Sequence, residues 1–68
     1  MSREMTFFMY LTERYAEYKE TTSGEVLKKW DKLGITEKIY SFYELYHTEA
    51  IENAFADIER LEKESKNT

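Results

Sequence analysis

The stretch FYELYHTEAIENAF, residues 42–55, sets the chain's only histidine, His47, among tyrosines and carboxylates. As a general base, His47 would need a nucleophile and an orienting acid in a pocket, and the sequence names no such trio. As a metal ligand it would have Glu44 three residues before it and Glu49 two after. One imidazole and two carboxylates from a local turn make a weak and unselective site. As a structural group in the last turn of a helix, an imidazole can meet free carbonyls and the negative end of the helix dipole. That structural role is the expectation for His47, with a contact to a partner second.

The carboxylates Glu44, Glu49, Glu52 and Asp57 pose the same question, because two of them could form an acid/base pair. Glu49 and Glu52, three residues apart at a helix start, are better explained by the dipole and by solvation. The chain has no glycine-rich phosphate loop, no serine-nucleophile motif and no zinc-protease motif. With no cysteine, disulfides, thiolate catalysis and thiol-rich zinc sites are excluded. The expectation is therefore a protein with no catalytic residue, no metal and no cofactor.

What must position these groups is small. At 68 residues the chain is expected to be one domain, 1–68, close to the lower size limit for a self-sufficient core. Below about 70–80 residues a chain needs a staple, an oligomer or very efficient helix packing. Eleven aromatic residues supply the large contact areas that efficient packing or self-association requires. No apolar run approaches the roughly 20 residues of a membrane span. The start, MSREMTFFMYLTERY, does not read as a signal peptide, because its short apolar run is followed at once by charges. A cytoplasmic protein without a membrane segment is expected.

Breaks in the chain must be found from caps, since there is no proline and only two glycines. Ser2 can cap a helix over about 3–21, whose Met5, Phe8, Leu11, Tyr15 and Tyr18 recur at three- and four-residue steps. Phe7, Met9 and Tyr10 widen its apolar surface beyond one stripe. Thr22-Ser23-Gly24-Glu25 fits a capping box opening a second helix, about 23–33, with Val26, Leu27, Trp30 and Leu33 inward. Gly34 sits where a left-handed residue ends a helix, and Ile35 where a Schellman ending meets Trp30. Thr36 can cap a third helix, about 37–47, with Ile39, Phe42, Tyr43 and Tyr46 as its stripe. Thr48 can cap a fourth, about 49–63, carrying Ile51, Ala54, Phe55, Ile58 and Leu61, before a frayed polar tail from about 63. The fold expected is all-α, a compact bundle of four short helices.

Charge and aromatic content narrow the function. The net charge is −4, and residues 39–58 hold Glu44, Glu49, Glu52 and Asp57 with no Lys or Arg. Such a segment repels phosphate backbones and favours a basic partner. A helix–turn–helix reading of residues 23–46 is open in outline. Its recognition helix, TEKIYSFYELYH, offers base edges one Lys and no Arg, Asn or Gln, so nucleic-acid binding is not expected. A domain this small cannot fully bury eleven rings, and exposed tyrosines concentrate binding energy. A protein-binding face built from the third helix and the edge of the first follows, with Tyr40, Tyr43, Glu44, Tyr46, His47 and Glu49 as its residues. The alternatives are a homodimer closed by the same face and, behind it, a DNA-binding regulator.

The segments SGEVLKKWDKLGI and FYELYHTEA, with the AFADIERL close, resemble a small bacterial family catalogued as domain of unknown function 3791. The resemblance spans about residues 5–61, and Tyr43, His47 and Thr48 fall on its Tyr-x-x-Leu-His-Thr stretch. Tyr46 replaces the leucine of that stretch, and Ala50 stands where glycine is usual. The family has no assigned activity. The resemblance implies a gene neighbourhood with ADP-ribosyltransferase-like proteins, arranged like a toxin–antitoxin pair, and hence a role as an antitoxin-like or accessory partner.

Overall fold

The computed structural model describes residues 2–66. The first helix, α1, spans Arg3–Tyr18, and the Ser2 hydroxyl accepts from the Met5 amide at 3.0 Å, so one of the free donors at its start is satisfied by a side chain. It ends three residues short of the expected position. Glu20 adopts a left-handed conformation at φ 56°, while the Thr21 amide donates to the Ala16 carbonyl at 2.9 Å and that of Glu20 to Glu17 at 3.1 Å. This is a Schellman ending built without glycine.

The second helix, α2, spans Ser23–Leu33 and opens with the Thr22 hydroxyl accepting from the Glu25 amide at 3.2 Å. Its ending is the one the sequence predicts. Gly34 has φ 71°, its amide donates to the Asp31 carbonyl at 3.1 Å, and the Ile35 amide donates to that of Trp30 at 3.0 Å. Trp30 and Ile35 are both buried, completing the apolar part of the motif.

The third predicted helix forms in two pieces, α3 at Thr36–Tyr40 and α4 at Tyr43–Tyr46. At the joint the Phe42 amide bonds to Ile39, three residues back, at 3.0 Å, and the Ser41 hydroxyl bonds to the Lys38 carbonyl at 2.6 Å. The tighter turn brings Ile39 and Phe42 into the core together. Thr36 does not cap α3; its hydroxyl instead reaches the Asp31 carboxylate across the α2–α3 turn.

Thr48 makes no cap either. The chain turns through residues 47–50 and enters a short 3-10 turn, Ile51–Ala54, which leads into α5 at Phe55–Lys66. Side chains three apart eclipse in a 3-10 turn, which places Ile51 and Ala54 on one buried face. The helix runs through Glu64 and Lys66, where the sequence predicts fraying; Lys63 and Lys66 in its last turn complement the dipole.

Phe8, Leu11 and Tyr15 of α1, Val26 and Trp30 of α2, Ile39 of α3, Phe42, and Phe55 and Ile58 of α5 form one contiguous core. The radius of gyration is 11.2 Å, against about 11 Å for a compact chain of this length. Trp30 is fully buried at the centre, with Phe8 and Tyr15 rings at 5.9 and 5.8 Å.

Candidate functional site

Of the eleven aromatic side chains, Phe8, Tyr15, Trp30, Phe42 and Phe55 are buried, Phe7, Tyr40, Tyr43 and Tyr46 are half-buried, and Tyr10 and Tyr18 are exposed. Three of these, Phe7, Tyr10 and Tyr43, gather where α4 lies beside the start of α1, whereas Tyr18 stacks on Phe55 at the other end of α1. Arg3, Phe7 and Tyr10 recur on α1 at four- and three-residue steps and so share one flank. That flank, with Thr6, faces Tyr43 and His47 across an open groove of about 450 Å³. The Phe7 and Tyr43 rings meet edge to face at 5.7 Å and form its floor.

His47 caps the end of α4. Its amide donates to the Tyr43 carbonyl at 3.1 Å, and its Nδ1 lies 2.7 Å from the same oxygen. A carbonyl only accepts, so Nδ1 carries the proton. The imidazole stacks on the Tyr43 ring at 4.3 Å and 18°. The helix-end role expected for His47 and its place in an exposed groove are therefore met by one geometry.

The six residues expected at a partner face separate into three pairs. Tyr43 and His47 line the groove. Glu44 and Glu49 are exposed beside them in the chain, Glu49 accepting from the Asn53 amide group at 3.0 Å. Tyr40 and Tyr46 turn into the packing instead. Tyr40 lies against Phe8 at 5.5 Å, and Tyr46 lies against Phe42 at 5.6 Å with its hydroxyl donating to the Asp57 carboxylate. That hydrogen bond, with burial second, raises the Tyr46 hydroxyl above the ordinary tyrosine range. Phe7 and Tyr10 were not among the six. Their signal was the apolar surface of α1 that ran wider than one stripe.

The acidic segment is partly neutralised within the fold. Glu52 pairs with Arg14 of α1 at 3.4 Å and Asp57 with Arg60 at 2.7 Å. Among the described residues no group of three or more His, Asp or Glu is placed to hold a metal ion, and no helix is long and apolar enough to cross a membrane.

The polar group that sequence reasoning missed altogether is Glu62. Only 8% exposed, its carboxylate accepts from the Tyr15 hydroxyl at 2.8 Å and from the Trp30 indole N–H at 3.0 Å, with the Lys29 ammonium 3.6 Å away. It ties α1, α2 and α5 together. Burial and this anionic partner push the Tyr15 hydroxyl far above its ordinary value. A cleft of about 390 Å³ opens beside it, bordered by Lys19, Thr21, Glu25 and Lys29. Glu62 stands four residues after Ile58, on the buried face of α5, which is the pattern that could have flagged it.

Residues 6–65 match the family described as "Protein of unknown function (DUF3791)". No curated protein and no solved structure matches the chain. The match covers most of the sequence, and the chain belongs to that family.

Proposed function

We propose, from membership in that family and the geometry of the groove, that the chain is a small protein-interaction module without catalysis of its own. Its docking face is the groove between α1 and α4. The observation that carries this reading is the open groove lined by Phe7, Tyr10, Tyr43 and His47, on a domain whose other large rings are mostly packed away. Exposed, rigid aromatic side chains give large contact area at small entropic cost, which is why they dominate binding faces. The lining offers the imidazole no carboxylate to orient it, and this favours recognition over acid–base chemistry.

The partner is a protein encoded beside this chain, with an ADP-ribosyltransferase-like enzyme as the occupant implied by the resemblance, and the chain restrains or assists it. The split of the third helix supports a protein partner over DNA. A recognition helix must lie along the major groove, and α3 is five residues long, a rise of about 8 Å. Self-association is the second reading, and one observation favours it: Met5, Met9 and Leu45 are exposed at 38%, 46% and 61%.

The test is a tagged pull-down from the native host, with the eluate's mass measured by light scattering, for the wild type and for Tyr10→Ala and Tyr43→Ala. One stoichiometric partner, lost in both variants, is the expected result. A clean homodimer with nothing attached, or a partner retained by both variants, overturns the reading.

A further inference from the structure

We propose that the α1–α4 groove accepts an acidic segment of the partner, with an apolar side chain on the groove floor and a neighbouring carboxylate on Arg3. This rests on the groove being the docking face and adds the chemistry of its occupant.

The sign of the occupant follows from what lines the groove. Arg3 is the one charged side chain there, beside Thr6, Phe7, Tyr10, Tyr43 and His47. The chain carries a net charge of −4, yet none of its carboxylates is in that lining. Of the four in residues 39–58, Glu52 and Asp57 are answered by Arg14 and Arg60. The groove therefore has a sign opposite to that of the chain as a whole, and charge complementarity selects an anion for it.

The donors of the groove are also unspent. Of the three arginines, Arg14 and Arg60 pair with carboxylates, while Arg3 pairs with none among the described residues. The hydroxyls of Tyr15, Tyr18 and Tyr46 each donate to a carboxylate of the fold. Those of Tyr10 and Tyr43 donate to no group among the described residues. A guanidinium only donates and an ionised carboxylate only accepts, and the planar fork of the one matches the two oxygens of the other. Nor does the fold account for Arg3, which is the first residue of α1, where the helix dipole disfavours a cation. The same dipole favours the anion that Arg3 would hold.

The apolar part of the occupant meets the Phe7 and Tyr43 rings, edge to face at 5.7 Å, with the His47 ring stacked on Tyr43 at 4.3 Å. The openness of the site selects its source. Sites for free small molecules bury most of the ligand, and an open groove of about 450 Å³ leaves one side in water. A side chain presented by a folded partner is covered on that side by the partner's own surface.

The experiment is an amide-shift NMR titration of the intact chain with three synthetic peptides of equal length and with phenylacetate. The peptides share one pair of phenylalanines, flanked by aspartates, by asparagines or by lysines. The aspartate peptide is expected to shift the amides of Phe7, Tyr10, Tyr43 and His47 and to weaken as salt rises. It should bind at least about tenfold tighter than the asparagine peptide, and the lysine peptide should bind weakest. Arg3→Gln should bring the aspartate and asparagine peptides to equal affinity, and Arg3→Lys should keep part of the difference. Arg3 is exposed, so both substitutions leave the fold in place. Equal binding of the aspartate and asparagine peptides, tighter binding of the lysine peptide, or a preference that survives Arg3→Gln overturns the proposal. Phenylacetate binding as tightly as the aspartate peptide also overturns it, since the groove is then a small-molecule pocket. So does a concentration-dependent dimer that shifts the same amides with no peptide present. If no peptide binds while Tyr10→Ala and Tyr43→Ala still abolish capture of the native partner, the acidic segment is wrong and the docking face stands. If capture also survives those substitutions, both fall.

Discussion

Helix α1 contributes a tyrosine to each of two regions, and the two fare differently. At Tyr15 the ring is 1% exposed, its hydroxyl is bonded to Glu62, and Trp30 and Phe55 pack within 6 Å of it. At Tyr10, five residues earlier, the ring is 50% exposed beside an open groove. A buried carboxylate, Glu62, accompanies Tyr15, while the groove beside Tyr10 is lined by no carboxylate. The difference lies in what each polar tip meets. In the Glu62 region every polar tip has a partner inside the fold, so the rings contribute to stability. In the groove the rings are only half covered, and under the proposed function that uncovered area is the docking surface.

If this contrast is right, the largest effect on stability comes from Glu62. Glu62→Ala leaves the Tyr15 hydroxyl and the Trp30 indole N–H without their acceptor and removes the anion that Lys29 faces. The expected loss is about 3 kcal/mol, a large share of the roughly 3–10 kcal/mol available to a domain of this length. Glu62→Gln keeps one carbonyl acceptor and should lose less. Urea denaturation reads both, and a loss below about 1 kcal/mol for Glu62→Ala would remove the contrast between the regions.

The next effect is alkaline. Tyr15 is raised from its ordinary 10.0, first by burial and then by the bond to Glu62. The unfolded chain therefore gives up this proton before the folded one does. Above pH 10 the folded state binds more protons, and stability must fall with pH. Below that pH the contribution is fully present. The expected slope from this one group is about 1.4 kcal/mol per pH unit, absent in Tyr15→Phe. Denaturation midpoints of the two proteins at pH 8 through 11 provide the check. Parallel curves would show that Tyr15 ionises as easily folded as unfolded.

Most of this architecture can be read from the chain, and the gaps have physical causes. The Ser2 and Thr22 caps and the Gly34 stop are local devices whose atoms lie within five residues of one another, so sequence shows them directly. The break at Ser41–Phe42 and the 3-10 turn at Ile51–Ala54 are set by burial against α1 and α5, and a local pattern carries no trace of that. Thr36 and Thr48 have capping chemistry, but Thr36 found Asp31 and the chain after Thr48 turned away. Glu62 was the hardest residue to assign, because its partners lie 32 and 47 residues away. In the groove, His47 and Tyr43 were legible from their spacing, while Tyr40 and Tyr46 carry the same side chain on neighbouring turns and point into the packing instead. The break before α4 sets Tyr40 apart, and Tyr46, on α4 itself, is turned inward by Phe42 and by the bond of its hydroxyl to Asp57.

A substitution outside both regions calibrates the scale. Glu20 holds a left-handed backbone that a side chain resists, and Glu20→Gly should raise stability by about 1 kcal/mol while leaving the Glu62 bonds and the groove untouched. The gain appears as a melting temperature higher by about 4–8 °C. A lower melting temperature would mean that the added freedom of the unfolded chain outweighs the relief of strain.

The smallest effect is expected at His47, and it is the one that tests whether a single groove residue can serve both stability and binding. Its imidazole holds the Tyr43 carbonyl and stacks on the Tyr43 ring, but it does so in solvent at the end of a four-residue helix. An exposed capping bond of this kind contributes about 0.5 kcal/mol. His47→Ala should therefore lower the melting temperature by a few degrees and also weaken partner capture, because the Tyr43 ring loses the group that holds its orientation. His47→Asn, with a side-chain amide able to donate to the same carbonyl, should recover stability ahead of binding. If His47→Ala leaves the melting temperature unchanged and abolishes capture, the residue acts on the partner alone, and its place at the helix end is incidental.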